Sequence, residues 1–152
     1  MWRKWKRYAS LKGAHKRLLL EAYFYLGWAR ILKALPFSRI APALGEHMAE
    51  TTEQPQPAQI PVLREVSYAV QLMSRHTWWE SQCMVKAIAA MRMLERRKIE
   101  STLYLGMGRD EKGRLVAHAW LRSGPIVITG AEGRERYTCV AKFARYIEGG
   151  VK

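Results

Sequence analysis

The sequence is most informative at Glu80-Ser-Gln-Cys-Met-Val-Lys-Ala-Ile-Ala-Ala90, where a polar segment runs directly into small and apolar residues. A helical pattern continues to about residue 97, so Cys83 lies close to the start of a predicted helix. Two starts fit the residues. Ser81 can act as the N-cap, whereas Thr77-Trp-Trp-Glu80 matches a capping box that would place Cys83 in the second turn.

Upstream, the sequence predicts two further helices on either side of a proline-rich connector. Residues 12–34 are rich in leucine, alanine and aromatic residues and contain no proline, which predicts one long N-terminal helix. Five of the six prolines fall within residues 35–61, so this connector cannot form a long regular element. Apolar residues then recur close to helical spacing over residues 61–76.

Downstream of Lys98 the sequence changes to short β-favouring runs. They cover residues 101–108, 115–121 and 126–129, separated by turn sequences, which predicts an antiparallel meander. A helix-rich half followed by consecutive strands is typical of an α+β domain with helices packed on one face of a small sheet. The 152 residues therefore predict a single domain, with residues 62–152 as its core.

Composition limits the partners and the compartment. Twenty-six Lys and Arg residues against thirteen Asp and Glu give a net charge of +13, which favours contact with nucleic acid, an anionic membrane surface or an acidic peptide. The two cysteines, Cys83 and Cys139, are too few for a disulfide framework, and no His/Cys cluster has metal-ligand spacing. We therefore expect a reducing cytoplasm, with no metal and no cofactor.

The N-terminal region raises the question of membrane contact. Its basic start is not followed by the apolar run and small-residue cleavage site of a signal peptide, so we expect no export. The most apolar run, residues 18–32, carries Glu21 and Arg30 and is shorter than the roughly 20 residues that span a bilayer. A helix that is apolar on all sides is buried, docks on a partner or lies on a membrane surface, so peripheral contact at the inner membrane face stays open.

Cys83 and His118 are the residues best suited to chemistry. The free N–H groups and the dipole at a helix N-terminus favour a thiolate. His118 lies 35 residues later in an apolar strand, where alternation places it on one face with Val116 and Trp120. An imidazole that reaches the thiol can take its proton and pass it to a leaving amine. A packing cysteine and a hydrogen-bonded core histidine are the alternative interpretation, and we interpret Cys139 as a packing residue.

The surroundings of this pair resemble those of transglutaminase-like enzymes. Gln82-Cys83-Met84-Val85 is similar to their Gln-Cys-Trp-Val helix start, and His118-Ala-Trp120 is similar to their His-x-Trp strand, in the same chain order. From about residue 12 onward the chain resembles, more narrowly, the small leader peptidases of lasso-peptide biosynthesis. This second resemblance is carried by residues 18–28, 35–37, 93–97, 117–120, 127–130 and 136–143.

The resemblance implies a transglutaminase-like, papain-like cysteine peptidase that removes the leader from a ribosomally made lasso-peptide precursor. Cys83 is then the nucleophile and His118 the general base. The backbone N–H of Cys83 and the side chain of Gln82 would stabilise the oxyanion. The family further implies a small leader-recognition (PqqD-like) protein that delivers the leader and a separate lasso cyclase, and it implies no nucleic acid partner.

The third catalytic member departs from the family pattern. Some relatives place an aspartate about twelve residues after the histidine, where this sequence has Gly130. Glu132 is the nearest acid and our candidate for the third member, while Asp110 and Glu111 lie in the preceding turn. A backbone carbonyl or amide can also orient a catalytic imidazole. The missing aspartate therefore weakens the prediction of a catalytic triad more than the prediction of a peptidase.

Two other functions remain open from the sequence. A transglutaminase would use the same Cys/His pair to transfer the acyl group to an amine instead of water. A basic nucleic-acid or membrane-surface binding module would use the charge and the N-terminal Trp2 and Trp5, without catalysis. A pure binding module does not account for the ordered Gln-Cys and His-x-Trp motifs, so we favour the cysteine peptidase.

Overall fold

The computed structural model describes residues 13–77 and 82–147, and within these ranges the chain forms four α-helices and one five-stranded sheet. The helices are α1 (Gly13–Lys33), α2 (Phe37–Leu44), α3 (Ile60–Ser74) and α4 (Cys83–Arg96). The strands are β1 (Glu46–His47), β2 (Ser101–Arg109), β3 (Leu115–Ser123), β4 (Ile126–Thr129) and β5 (Thr138–Arg145). Two 3-10 turns, Pro57–Gln59 and Arg134–Arg136, complete the described elements.

The sheet has the order β1-β5-β2-β3-β4, and all neighbouring strands are antiparallel. Strands β2, β3 and β4 form the predicted meander. Strand β5, which the sequence did not predict, returns to the other side of β2 and pairs with it along most of its length. Its residues do not alternate cleanly between apolar and polar, so the pattern does not predict a strand. The position of β5 in the sheet depends on pairing with the free edge of β2.

The helices form layers on one face of this sheet, as predicted for an α+β domain. Leu103 of β2 pairs with Leu121 of β3, and Leu105 pairs with Ala119, so these side chains share a face. They join the hydrophobic core with α4, which contacts β2, β3 and β4. Helix α3 packs beside α4 and against β4, and α1 covers both helices as an outer layer. Cys83 and Met84, the first residues of α4, are partly buried against this core.

Helix α1 has one buried and one exposed apolar face. Its buried residues, which face α3 and α4, are Leu18, Leu19, Ala22, Leu26 and Ala29. The Glu21 carboxylate accepts two hydrogen bonds from Arg97, at 2.7 and 2.8 Å, and these raise the pKa of the guanidinium. The ion pair ties α1 to the end of α4. No helix in the described part of the chain combines the length and apolarity needed to cross a membrane.

The proline-rich connector contains more structure than its composition predicts. It includes the eight-residue helix α2, whose Ile40 and Leu44 are buried, and the short edge strand β1. Arg122, a buried arginine of β3, binds the segment that follows β1 and holds it against the sheet. Its guanidinium donates hydrogen bonds to the carbonyls of Thr51 and Thr52, at 2.9 and 3.0 Å, and to the Tyr104 hydroxyl at 2.9 Å. A buried charge needs hydrogen-bond partners, and the carbonyl partners of Arg122 at Thr51 and Thr52 lie far from it in the sequence.

Candidate active site

Cys83 is the first residue of α4. Gln82 precedes it as an extended N-cap without a side-chain capping bond, and the first helical hydrogen bond runs from the Lys86 N–H to the Gln82 carbonyl at 2.9 Å. The N–H groups of residues 83–85 therefore lie ahead of the helical hydrogen-bond ladder, at the positive end of the helix dipole. The thiol is half-buried and is not in a disulfide.

This geometry decides between the two predicted helix starts. The helix begins at Cys83 with Gln82 as its N-cap, one residue later than the predicted N-cap Ser81, so the thiol is in the first turn and not in the second. Ser81 and residues 78–80 of the proposed capping box lie outside the described residues, as do Trp2 and Trp5 of the basic N-terminal region. The segment that leads into the candidate nucleophile is therefore known only from its sequence.

The imidazole of His118 is held by a backbone carbonyl. Its Nε2 atom lies 2.8 Å from the carbonyl oxygen of Gly130, and the ring is half-buried on β3. A carbonyl oxygen can only accept a hydrogen bond, so Nε2 carries the hydrogen. In the neutral ring, Nδ1 then has the lone pair. A histidine fixed in this tautomer has one nitrogen anchored and the other available as a base.

The carbonyl belongs to Gly130, whose backbone conformation and close surroundings no other residue could adopt without strain. Its φ angle is +74°, in the left-handed region, and a Cβ atom would collide with the carbonyl oxygen of Ala119 and lie 2.9 Å from Trp120 Cβ. An aspartate at this position would meet the same contacts. At the position where some of the resembling relatives have an aspartate, this chain has a glycine whose main-chain carbonyl accepts the hydrogen bond from His118.

Aromatic rings surround His118 on the sheet face opposite the helices. The imidazole stacks on Tyr137 at 4.8 Å and on Trp120 at 5.8 Å, and Trp120 stacks in turn on Tyr104 at 5.5 Å. Gly106 pairs with His118 across the strands, and a Cβ there would lie 2.7 Å from the Trp120 ring. Glycine at this position lets the rings close over β2. Sequence reasoning missed Tyr137, which lies between the 3-10 turn Arg134–Arg136 and β5, a strand that was not predicted.

Comparison with known proteins identifies the family. Residues 23–142 match the family model described as the transglutaminase-like superfamily, a range that includes both Cys83 and His118. The chain belongs to the transglutaminase-like superfamily. This superfamily includes cysteine peptidases, and the predicted fold class is confirmed. Neither the curated proteins nor the solved structures give a significant match to the chain.

The transglutaminase-like domain holds the two candidate catalytic residues on different elements. Helix α4 covers the face with Ala119 and Leu121, whereas the His118 ring lies with Trp120 on the other. Among the described residues no hydrogen bond joins the thiol to the imidazole, whose Nε2 is bound to Gly130. The Cys83/His118 pair therefore stays a prediction, and its formation requires the thiol to reach Nδ1.

The acidic candidates for the third member lie in exposed turns. Glu132 is exposed two residues beyond Gly130, and the hydrogen-bond partner of His118 is the Gly130 carbonyl and not a carboxylate. Asp110 is held in its own turn: the Arg114 backbone N–H lowers its pKa, and the Arg114 side chain binds it at 2.9 Å. The roles of Glu132 and of Gln82, which is exposed, stay predictions.

Two further observations concern the remaining ligand-type residues. Cys139, which we interpreted as a packing residue, is exposed on β5, so that prediction is wrong. The reason is that Cys139 pairs with Gly106 of β2 and so lies on the sheet face of His118, away from the helical core, beside a residue that has no side chain to cover it. In the part of the chain that the structure describes, no three His, Cys, Asp or Glu residues form a group that could hold a metal ion.

Replacing Gly130 with alanine tests how closely the backbone of this residue, whose carbonyl binds His118, packs against Ala119 and Trp120. We expect the variant to lose about 2–4 kcal/mol of the free energy of unfolding, measured by urea denaturation, because left-handed strain adds to collision with backbone atoms. Gly133→Ala is the matched control. Gly133 has nearly the same φ angle, +75°, but nothing lies within 4 Å of its Cβ position, so it should lose only about 1 kcal/mol. Equal losses in the two variants would contradict the close fit at Gly130.

Proposed function

We propose that this transglutaminase-like protein is a cysteine peptidase that removes the leader from a ribosomally made lasso-peptide precursor. The proposal is supported by membership of a superfamily that includes cysteine peptidases and by the resemblance of the motifs around Cys83 and His118. The observation that carries it is the position of Cys83 as the first residue of α4, where the N–H groups of residues 83–85 precede the first helical hydrogen bond. A thiol at a helix start is favoured as a thiolate nucleophile.

In this mechanism the Cys83 thiol gives its proton to His118 Nδ1 and attacks the scissile carbonyl. The backbone N–H of Cys83 at the start of α4 donates a hydrogen bond to the oxyanion that forms. His118 then returns the proton to the leaving amine, and the carbon–nitrogen bond breaks to leave a thioester. Water, deprotonated by the same imidazole, hydrolyses the thioester, and the thiol recovers its proton.

The partners follow from the same resemblance. A small leader-recognition (PqqD-like) protein would present the leader, and a lasso cyclase would use the freed core peptide. The net charge of +13 supports an acidic leader or an acidic carrier, since opposite charges speed association. Cytoplasmic precursors made on ribosomes are accessible to such an enzyme without export.

Mass spectrometry of candidate precursor peptides incubated with the protein tests the proposal. The expected result is a leader and a core whose masses sum to that of the precursor plus one water, formed faster when a recognition protein is present. Attachment of an added amine to the acyl fragment instead of water would assign the protein as a transglutaminase. Intact precursors under both conditions would reject the leader peptidase.

We also propose that the outer face of α1 contacts the cytoplasmic membrane surface. Leu20, Phe24 and Ile31 are 58%, 66% and 68% exposed along this face. Arg17 and Lys33 are exposed near its two ends, and the acidic Glu21 is engaged by Arg97. An exposed apolar stripe flanked by cations suits the boundary between acyl chains and anionic headgroups.

Sedimentation with vesicles tests this contact. Binding should be strong on anionic phosphatidylglycerol vesicles and weak on neutral phosphatidylcholine vesicles, and Leu20→Gln should weaken it about tenfold. Leu115→Gln is the matched control, because Leu115 is a leucine of similar exposure, 62%, on β3. Equal loss of binding in the two variants, or equal binding to both vesicle types, would contradict the assignment of this face.

A further inference from the structure

A cationic groove lies near His118 and is lined in part by Tyr137, the ring on which His118 stacks. This open cavity, about 590 Å³ in volume, is located where β2 turns into β3. Its lining residues are mostly charged, with one aliphatic and one aromatic side chain: Arg109, Asp110, Glu111, Lys112, Arg114, Val116, Arg136 and Tyr137. We refer to these residues as the cationic groove.

Two of its lining residues connect the groove to the imidazole. Val116 precedes His118 by two positions on β3 and therefore lies on the same face of the sheet. Tyr137 also lines the groove and stacks on the His118 ring at 4.8 Å. A ligand that occupies the groove thus ends next to the candidate general base. The groove belongs to the surface across which a substrate held at His118 would extend.

The charges that line the groove do not cancel. Four basic side chains face two acidic ones, and the Asp110 carboxylate is bound to the Arg114 side chain and to the backbone of its own turn. Arg109 donates a hydrogen bond to the Gly113 carbonyl at 2.8 Å, which leaves its positive charge without an acid. Among residues 13–77 and 82–147, no acidic side chain pairs with Lys112 or Arg136. The groove therefore has a surplus of positive charge.

We propose that the cationic groove binds a carboxylate-bearing segment of the peptide substrate beside the His118 ring. Arginine side chains recognise carboxylates through paired hydrogen bonds, and the Tyr137 ring offers an apolar wall for the substrate backbone and stems. Arg136, adjacent to Tyr137 and without an acidic partner, is the residue that we expect to set this preference. The proposal rests on the proposed peptidase function, because it assigns the substrate class of the same site.

Fluorescence anisotropy with two labelled peptides tests the groove independently of cleavage. The probes are a glutamate-rich peptide and the same peptide with glutamine at every glutamate, each titrated with the intact protein. We expect tighter binding of the glutamate peptide, and Arg136→Glu should weaken that binding at least about fivefold while leaving the glutamine peptide unaffected. Arg136→Lys, which keeps the charge, should restore most of the affinity.

Arg39→Glu is the control for bulk charge. Arg39 is exposed on α2, which packs near β1 and the end of β5, at the other end of the sheet from the groove. An equal loss of affinity in Arg39→Glu, or equal affinity of wild-type protein for the two peptides, would overturn the groove assignment. Unchanged thermal melting curves would show that the Arg136 variants remain folded.

A cleavage assay separates failure of the groove from failure of the proposed function. If the protein cleaves a precursor and Arg136→Glu leaves KM unchanged, the groove assignment fails and the peptidase stands. If the glutamate preference depends on Arg136 but no precursor is cleaved, the groove stands as a peptide-binding site and the peptidase fails. A raised KM with unchanged kcat in Arg136→Glu supports both.

Discussion

Replacing Cys83 with alanine is expected to abolish precursor cleavage while leaving the domain folded. The thiol is the only group at the start of α4 that can form the thioester, so kcat should fall by at least about 10⁴-fold. Alanine keeps the helix start and removes only a half-buried sulfur, which should change the free energy of unfolding by about 1 kcal/mol or less. Cleavage is followed by mass spectrometry and folding by urea denaturation.

The second cysteine supplies the control for this experiment. Cys139 is exposed on β5, where it pairs with Gly106 of β2, and it is not at a helix start, so Cys139→Ser should cleave at the wild-type rate. Near-normal cleavage by Cys83→Ala would refute Cys83 as the nucleophile. Loss of cleavage in Cys139→Ser alone would transfer that role to the β5 thiol.

Replacing His118 with alanine should lower kcat about 10³-fold, since the variant has no group to take the thiol proton or to protonate the leaving amine. A second readout reports directly whether the imidazole reaches Cys83. Alkylation of Cys83 by iodoacetamide at mildly acidic pH should be slower in His118→Ala, because the thiol then lacks a neighbouring base. Alkylation of the exposed Cys139, quantified in the same digest, serves as the internal reference.

His47→Ala is the matched histidine control. His47 lies on β1, and β5 and β2 separate it from β3, so both cleavage and alkylation should match the wild type. Unchanged alkylation of Cys83 in His118→Ala, together with retained cleavage, would reject the pair. Lost cleavage with unchanged alkylation would show instead that His118 acts only on the leaving amine.

Much of this architecture was predictable because its signals are local. The helix start near Cys83 follows from a polar segment that meets small and apolar residues, and the structure begins α4 at that residue. The meander of β2, β3 and β4 follows from β-favouring runs separated by turns. Spacing and turn chemistry act within a few residues, so they can be recognised without knowledge of the rest of the chain.

The missed features share a different origin. Strand β5 has no clear alternation and is ordered by pairing with β2, whose free edge exists only after the meander has formed. The buried Arg122 finds its carbonyl partner at Thr51, 71 positions away, within a connector that composition alone assigned no long regular structure. Burial is common for cysteine and favours a packing role for Cys139, but the residue is exposed because its partner across the strands is Gly106, on the face away from the helices.

Residue types and their order were therefore enough to define an α+β domain with a thiol at a helix start and a histidine on a later strand. They could not reveal how the histidine is held. Its partner is the carbonyl of Gly130, a group that every residue possesses, and only the left-handed backbone there and the packing of Trp120 and Tyr137 aim it at Nε2. Backbone atoms carry no signature in a sequence, so a main-chain hydrogen-bond partner of a side chain becomes visible only when the strands are assembled.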